Sequence, residues 1–325
     1  MLIYSITLYC KQSKRGVVMM TTKKKANLML LTATLFWGSS YLFMQMGMAT
    51  LAVCNFIALR FGLAVVLAAA CFPKRVWQAR KAALWPAVAL GSLLLLVFIF
   101  ILFGIPRTTT SNAAFLVSLT VIFVPLLTAL ISRKLPEKSV LAGVGCAFVG
   151  VGFLTLQGQL SVNKGDILCI GGALAYALHI LAAGHLTKAV DSLALGIWQL
   201  GFTALFSGLL SWFFEQPRWP QIAEEWLAVL ALGIFCSALG FVMQVVAQQH
   251  TTATDTSLIF SLEPVFAAGF GFVFLGEILS LQGYIGAVLV LAGVVYPQLR
   301  KEETSQQRER NSAAKSECMS KKAIS

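Results

Sequence analysis

The chain has 325 residues, of which 58% are hydrophobic and only 12% are charged, and its formal net charge is +12. Soluble domains are about a quarter charged and at most about half apolar, so this composition excludes a soluble globular protein and indicates a polytopic membrane protein. A basic balance is also typical of nucleic-acid-binding proteins, and the positions of the charges decide between the two classes.

Ten mostly apolar segments follow one another along the chain. Each has the roughly 16–22 residues that a helix needs to cross the bilayer. Transmembrane β-strands are excluded, because they alternate polar and apolar residues over about ten positions. We therefore predict an all-α integral membrane protein with ten transmembrane helices and no inserted soluble domain. The predicted spans are residues 28–47, 53–72, 85–105, 113–131, 140–156, 167–186, 193–213, 226–247, 256–275 and 281–296.

Lysine and arginine concentrate on one side of these predicted spans. With the N-terminus inside, 21 lie on the cytoplasmic side, whereas the other side has three, Arg107, Lys164 and Arg218, and Arg60 lies within a span. Because basic residues are retained in cytoplasmic loops, we predict a multi-pass protein of the plasma (inner) membrane with both termini in the cytoplasm. The net charge is thus interpreted as a topology signal. Nucleic acid is not expected as a partner, while the basic ends are expected to contact anionic lipid.

The two ends of the chain lie outside the predicted spans. Residues 1–27 form a predicted cytoplasmic segment whose short apolar run lacks the features of a signal peptide. Met19 and Met20 precede a basic stretch typical of the lead into a first span, so we expect translation to begin there and not at Met1. Residues 299–325 are polar, charged and without periodicity, which predicts a disordered basic tail.

Sequence motifs for catalysis and for cofactor binding are missing. The seven cysteines show no CxxC spacing, so neither a disulfide framework nor a metal site is expected. The sequence also has no P-loop, HExxH or GxSxG pattern. We therefore expect no cofactor, no ATP and no enzymatic activity, and the chain cannot be a primary pump by itself.

The two halves of the sequence resemble each other. A shift of 143 residues matches Ser118-Leu119 with Ser261-Leu262, Phe123 with Phe266, Gly143 with Gly286 and Gly150 with Gly293, and a shift of 139 matches Trp37 with Tyr176, Arg60 with Gln199 and Gly62 with Gly201. Because each half holds five predicted spans, the second half enters the membrane from the opposite side. Inverted repeats are typical of secondary transporters, which bind cargo where the halves meet. We predict repeats at 28–156 and 167–298, joined by an outer loop at 157–166.

Three stretches resemble the EamA-type family of the drug/metabolite transporter superfamily. They are LFWGSSYLFMQMG at 35–47, NFIALRFGLA at 55–64 and SLEPVFAAGFGFVFLGEILSLQGYIGAVLVLAGVV at 261–295. The resemblance extends over residues 28–298 and implies two inverted helical bundles. It also implies export of amino acids or other small metabolites without ATP, and it does not fix the cargo. Glu277, which resembles the family's Gly-Glu element, is expected to be a structural anchor at the outer surface.

Two charged residues lie deep within predicted spans. A charge near the bilayer centre costs about 2.5–3.5 kcal/mol on insertion scales, so each is a candidate functional residue. Arg60 lies in the second span, and Glu263 lies in the ninth, followed by Pro264, which bends the helix and frees a carbonyl. The opposite charges indicate an ion pair, two parts of one polar pathway, or a purely structural role. Glu263 is also the candidate for proton coupling, because burial favours the protonated form of a carboxyl group.

Other polar and aromatic residues are further candidates for the substrate pathway. They are Trp37, Ser39, Ser40 and Tyr41 in the first span, Tyr176 and His179 in the matching span, Gln199 at the repeat position of Arg60, and Gln244. Packing explains the aromatic residues equally well, and a hydrogen bond between helices explains His179 better than a titrating role. Asn112 and Asp255, matched by the shift of 143, are expected to cap helices.

The sequence therefore predicts a secondary transporter that exports a small metabolite, such as an amino acid or a related compound, by alternating access. The alternatives are an integral-membrane enzyme, which needs catalytic residues clustered at one membrane face, and a membrane sensor, which usually carries a soluble domain. A small-molecule substrate and the lipid bilayer are the expected partners, and the oligomeric state stays open.

Overall fold

The computed structural model describes residues 22–48, 50–108, 110–155, 164–275, 280–297 and 299–300. The described residues form helices and connecting turns and contain no β-strand. Most of the predicted N-terminal segment, residues 157–163 of the predicted outer loop, and the tail from residue 301 lie outside them.

The helices follow one another with short connections. They are α1 (Thr22–Gly38), α2 (Ser40–Gly47), α3 (Val53–Cys71), α4 (Pro73–Gly104), α5 (Thr110–Val117), α6 (Thr120–Ser132), α7 (Lys138–Thr155), α8 (Lys164–Leu186), α9 (Ser192–Phe214), α10 (Ala223–Gln248), α11 (Ala253–Phe260), α12 (Glu263–Phe270) and α13 (Leu281–Pro297). A short 3₁₀ turn, Ile105–Arg107, ends α4, and α10 contains a π-helical segment, Leu232–Phe241.

Long apolar helices make this a multi-pass membrane protein. Seven stretches of the described residues are long and apolar enough to cross a bilayer, and two further apolar helices are shorter, Lys138–Phe153 and Leu281–Pro297. The predicted spans fall on helices, with one difference in extent. Residues 73–84, expected to be a connection, form the first turns of α4, because Pro73 suits the first turn of a helix and the following residues favour helix.

Two helices are interrupted at equivalent places. The breaks between α5 and α6 and between α11 and α12 fall on Ser118-Leu119 and Ser261-Leu262, the pairs that a shift of 143 residues relates. At the second break the Ser261 hydroxyl donates to the Leu258 carbonyl at 2.6 Å, a local bond that competes with the helical pattern. The structure therefore repeats a feature that the sequence repeat marks.

Repeat-equivalent helices pack on each other in antiparallel pairs. In α7 and α13, a Cβ added to Gly150 would lie 2.7 Å from the Gly286 carbonyl oxygen, and one added to Gly293 would lie 2.6 Å from that of Gly143. The shift of 143 relates Gly143 to Gly286 and Gly150 to Gly293. The two contacts are therefore equivalent to each other under the repeat. The glycines allow the two backbones to approach this closely.

The helix termini correct one sequence prediction. The N-cap of α11 is Thr252, whose hydroxyl accepts a hydrogen bond from the Asp255 amide at 3.1 Å. The prediction that Asp255 is the cap is therefore wrong, because its carboxylate faces Lys23 at 3.3 Å instead. The side chain of Asn112 and residue Glu277 lie outside the described part of the chain.

Candidate functional site

A small cavity lies between helices from both halves of the chain. Its volume is about 50 Å³. A buried water needs roughly 10–15 Å³ of space measured in this way, so the cavity has room for a few waters. The residues that line it are Trp37, Ser40, Met44, Arg60, Val97, Phe98, Ile101, Val117, Tyr176, Phe241 and Glu263.

Arg60 brings a buried positive charge to this cavity. Its exposed fraction is 1%, and its Nε donates to the Ser237 hydroxyl at 2.6 Å. The guanidinium also lies over the rings of Phe98 and Phe61, 4.7 and 5.3 Å from their centres. Cation–π contacts of this kind partly replace lost hydration. Within the described ranges, Nη1 has no hydrogen-bond partner, and no carboxylate lies within 4.0 Å of the guanidinium.

Glu263 lies at the start of α12, directly after the helix break. It is half-buried and lines the cavity together with Arg60. It also lines an adjacent cavity of about 20 Å³, where Ser257 and Ser261 add hydroxyl groups. A carboxylate is stabilised at a helix N-terminus by the helix dipole, and Pro264 suits the first turn. Arg60 and Glu263 thus line one shared cavity.

Trp37 closes one side of the cavity with its indole ring. Its Nε1 donates to the Cys236 carbonyl at 2.9 Å, and its ring lies 4.9 Å from the rings of Phe241 and Phe260. A Cβ added to Gly240 would lie 2.7 Å from the indole nitrogen, so only glycine leaves room for the ring here. The side chain of Tyr41, predicted on the same helix face, lies outside the described part of the chain.

The π-helical segment of α10 supplies three cavity contacts that the sequence did not reveal. The segment carries Ser237, which binds Arg60, Phe241, which lines the cavity, and the Cys236 carbonyl, which holds Trp37. π-Helical turns widen a helix by one residue and are frequent at functional sites. A single sequence shows no periodic pattern from which a π-helical turn, or an apolar residue that lines a cavity such as Phe98, could be predicted.

The remaining predicted residues form a separate buried polar cluster. His179 Nε2 lies 3.0 Å from Gln199 Oε1, and both residues are fully buried. Gln244 donates to Gln248 at 3.3 Å, and Gln248 donates to the Ile180 carbonyl at 2.9 Å, which ties α10 to α8. His179, Gln199 and Gln244 do not line the cavity with Arg60.

Tyr176 connects the cavity to this cluster. Its ring stacks on His179 and on Phe260, with centres 6.0 Å apart in each pair. No group of three metal-binding side chains occurs in the part of the chain that the structure describes. The predicted pathway residues thus divide into those at the cavity and those that connect helices behind it.

The architecture and the cavity are matched by a known family. The sequence model of the EamA-like transporter family fits residues 24–156 and, a second time, residues 163–296. This chain belongs to the EamA-like transporter family. The resemblance seen in the sequence is confirmed, and the family's domain occurs twice in the chain.

Relatives in the EamA-like family are transporters by name. An uncharacterized transporter of Archaeoglobus fulgidus is 28% identical over 275 residues, covering 85% of this chain and 86% of its own. The uncharacterized transporter YyaM of Bacillus subtilis is 28% identical, covering 82% and 92%. The threonine/homoserine exporter RhtA of Escherichia coli is 29% identical over 167 residues, covering 48% and 52%. Family membership indicates a small-molecule substrate for this chain.

A solved crystal structure has the same fold. Its chain superposes with a TM-score of 0.74 at 19% sequence identity, and the match covers 86% of this chain and 99% of that chain. At this identity the likeness establishes the fold alone.

Proposed function

We propose that the protein is a secondary transporter that exports a small zwitterionic metabolite, such as an amino acid, through the cavity between its two halves. The observation that carries the proposal is the cavity itself, which Arg60 and Glu263 line together with residues of both halves. The chain then consists of two inverted five-helix repeats, 28–156 and 167–298, with ten membrane crossings.

Inverted repeats are supported by the way in which equivalent helices meet. Helices α3 and α9 are equivalent by the shift of 139, and they run antiparallel, since Gly208 lies opposite Ala58 and Gly201 opposite Val65. The glycine contacts of α7 and α13 have the same antiparallel symmetry. Broken helices near the midplane, such as α11 and α12, are typical of transporters built in this way.

The cargo class follows from the two charges. The unpartnered Nη1 of Arg60 would donate a hydrogen bond to a carboxylate oxygen of the cargo, since guanidinium and carboxylate form strong charge-assisted hydrogen bonds. Glu263 would receive an ammonium group, and Trp37 and Phe98 would contact an apolar side chain. Threonine and homoserine, which the relative RhtA is named for exporting, have this chemistry.

Alternating access requires the cavity to enlarge. Because the cavity is small in this structure, we expect the two halves to move apart on one side to admit cargo. Glu263 is the proposed proton-coupling residue, since it lies at the break between α11 and α12. With the charge bias of the loops, both termini are proposed to lie in the cytoplasm of a cell whose inner membrane holds the protein.

Flux across proteoliposomes tests this function. Purified protein would be reconstituted, and efflux of a panel of labelled amino acids and other metabolites would be measured with and without a pH gradient. We expect saturable efflux of at least one zwitterion, with exchange for unlabelled cargo. The matched control is Arg80→Gln, which removes a cation that lies 3.7 Å above the Trp77 ring and away from the cavity. Equal efflux from empty vesicles for every compound would overturn the proposal.

A further inference from the structure

An apolar groove with a basic end lies on the outside of the bundle, between α4 and α8. Its volume is about 560 Å³, more than ten times that of the central cavity. Seven residues line it, five of them apolar: Ile99, Phe100, Phe103, Arg107, Lys164, Ile167 and Leu168. The groove shares no lining residue with the central cavity, which α4 contacts through Val97, Phe98 and Ile101.

The two cations sit together at one end of the groove, where α4 ends and α8 begins. Arg107 is exposed, and its Nη1 donates to the Phe103 carbonyl at 2.6 Å. Among the described residues, neither Arg107 nor Lys164 has a carboxylate within 4.0 Å. The undescribed residues 156–163 contain no Asp or Glu. Neither cation at the basic end of the groove therefore forms an ion pair with the described residues.

The position of these cations is unusual for this protein. Only three of its 25 lysines and arginines fall on the predicted outer side, and two of those three are Arg107 and Lys164. Asp166 is close in sequence, but it is buried, and its carboxylate accepts a hydrogen bond from the Thr108 hydroxyl. A pair of cations kept where the chain otherwise avoids them indicates an anionic ligand at the membrane surface.

The rest of the groove extends along the apolar part of the same helices. Ile167 is 63% exposed and Phe103 is 37% exposed, in two helices that are long and apolar enough to cross a bilayer. A phospholipid has the matching chemistry, with a phosphate at the level of the helix ends and an acyl chain that extends toward the bilayer centre. Burying each methylene of that chain stabilises binding.

We propose that this groove is a binding site for one anionic phospholipid. Its phosphate lies between Arg107 and Lys164, and one acyl chain lies along Phe103, Phe100 and Ile167. Each basic residue near an anionic headgroup strengthens binding by about fivefold, so the two together contribute about 25-fold. A zwitterionic lipid with the same chains gains much less from them, because its own ammonium group offsets the phosphate.

Native mass spectrometry of the full chain tests the site. The protein would be measured in detergent that contains equal amounts of dioleoylphosphatidylglycerol and dioleoylphosphatidylcholine. We expect one retained phosphatidylglycerol, preferred over phosphatidylcholine by roughly ten- to thirtyfold from the two charges. The variant Arg107→Gln with Lys164→Gln should bind both lipids about equally.

Matched variants separate this site from general attraction between charges. The pair Lys134→Gln with Arg218→Gln removes two exposed cations elsewhere on the chain and should keep the preference. The pair Arg107→Lys with Lys164→Arg retains both charges and should also keep it. If the double glutamine variant is not monodisperse, Lys164→Gln alone should lose about fivefold.

Several results would overturn the proposal. They are equal retention of both lipids by the natural protein, an unchanged preference in the double glutamine variant, or the same loss in the Lys134 and Arg218 control pair. Displacement of the lipid by an equal concentration of glycerol 3-phosphate would also overturn it, since that result would assign the site to a free phosphate ester. No displacement supports the contribution of the acyl chain.

Discussion

The first half of the chain, up to Thr155, and the second half, from Lys164, place different charges at equivalent positions. Arg60 in α3 occupies the position that Gln199 has in α9, and Thr120 at the start of α6 occupies the position that Glu263 has in α12. The backbone breaks before Thr120 and Glu263 are the same in both halves. The scaffold is thus repeated, whereas each half contributes one ionisable residue to the shared cavity.

The N-termini of the equivalent helices α3 and α9 also differ between the two halves. Asp191 caps α9 and accepts a hydrogen bond from the Ala194 amide at 2.9 Å. The equivalent residue before α3 is Ala52, which offers no side-chain acceptor. The α3 amides of Cys54 and Asn55 donate instead to the Glu215 carboxylate, at 2.9 and 2.8 Å, across the two halves. The first amides of α9 are thus capped by a neighbouring residue, whereas those of α3 are capped by a carboxylate from the other half of the chain.

Replacing Arg60 by the glutamine found at the equivalent position of the second half should have the largest effect on efflux. Arg60→Gln copies the residue of the second half and removes the charge that we assign to the cargo carboxylate. Loss of such a pair costs about 3 kcal/mol, so efflux should fall about a hundredfold. The fold should remain, since a buried charge with an unpartnered Nη1 is replaced by a neutral group. Proteoliposome flux checks this, and flux equal to that of Arg80→Gln would contradict it.

Removing the charge of Glu263, which the first half lacks at the equivalent Thr120, should separate cargo exchange from proton coupling. Glu263→Gln cannot take up a proton, so we expect efflux to lose its dependence on pH and on a pH gradient. Exchange of labelled for unlabelled cargo needs no net proton movement and should persist, at a rate reduced by about tenfold or less. The measurement is flux at pH 5.5 to 8 with and without a gradient. An unchanged pH profile would remove Glu263 from the coupling role.

The glycine contact of α7 and α13 predicts equal losses of stability in the two halves. Gly150→Ala and Gly293→Ala each place a methyl group 2.6 Å from a backbone atom of the other helix, and overpacking costs about 1–3 kcal/mol. Gly145→Ala, in the same helix as Gly150, meets nothing within 4 Å and is the matched control. Thermal unfolding in detergent measures the three variants. An equal drop for Gly145→Ala would show that the contact is unimportant.

The smallest effect concerns the cap of α3. Glu215→Ala removes the acceptor of two amides and should lower the free energy of unfolding by about 1–2 kcal/mol. Adding Ala52→Asp copies Asp191 of the second half and should restore about 1 kcal/mol. Chemical denaturation measures both. If Ala52→Asp restores no stability, Glu215 stabilises the protein by linking the two halves and not by capping α3.

The sequence predicted the helices well because apolar length is a direct physical requirement of the bilayer. A charge within an apolar segment is costly wherever the helix packs, and the two residues singled out for that reason, Arg60 and Glu263, line one cavity in the structure. The start of α4 at Pro73 was not predicted, because basic residues within the first turns of a helix look like a loop when hydropathy alone is considered.

The grouping of the site residues could not be predicted. Gln199 and His179 have the same sequence signals as Arg60 and Tyr176, yet their mutual hydrogen bond keeps them behind the cavity wall. Ser237 and Phe241 reach the cavity through a π-helical segment, whose extra residue per turn rotates side chains away from ordinary helical positions. Such contacts depend on how helices pack, which one sequence does not encode as a periodic pattern.

The small volume of the central cavity has a consequence for the cell that holds the protein. Protons cross membranes along continuous files of water, and the rings of Trp37, Phe98 and Phe241 line this cavity, where they narrow the space for such a file. We expect a transporter closed in this way to slow the leak of protons through itself while it is idle.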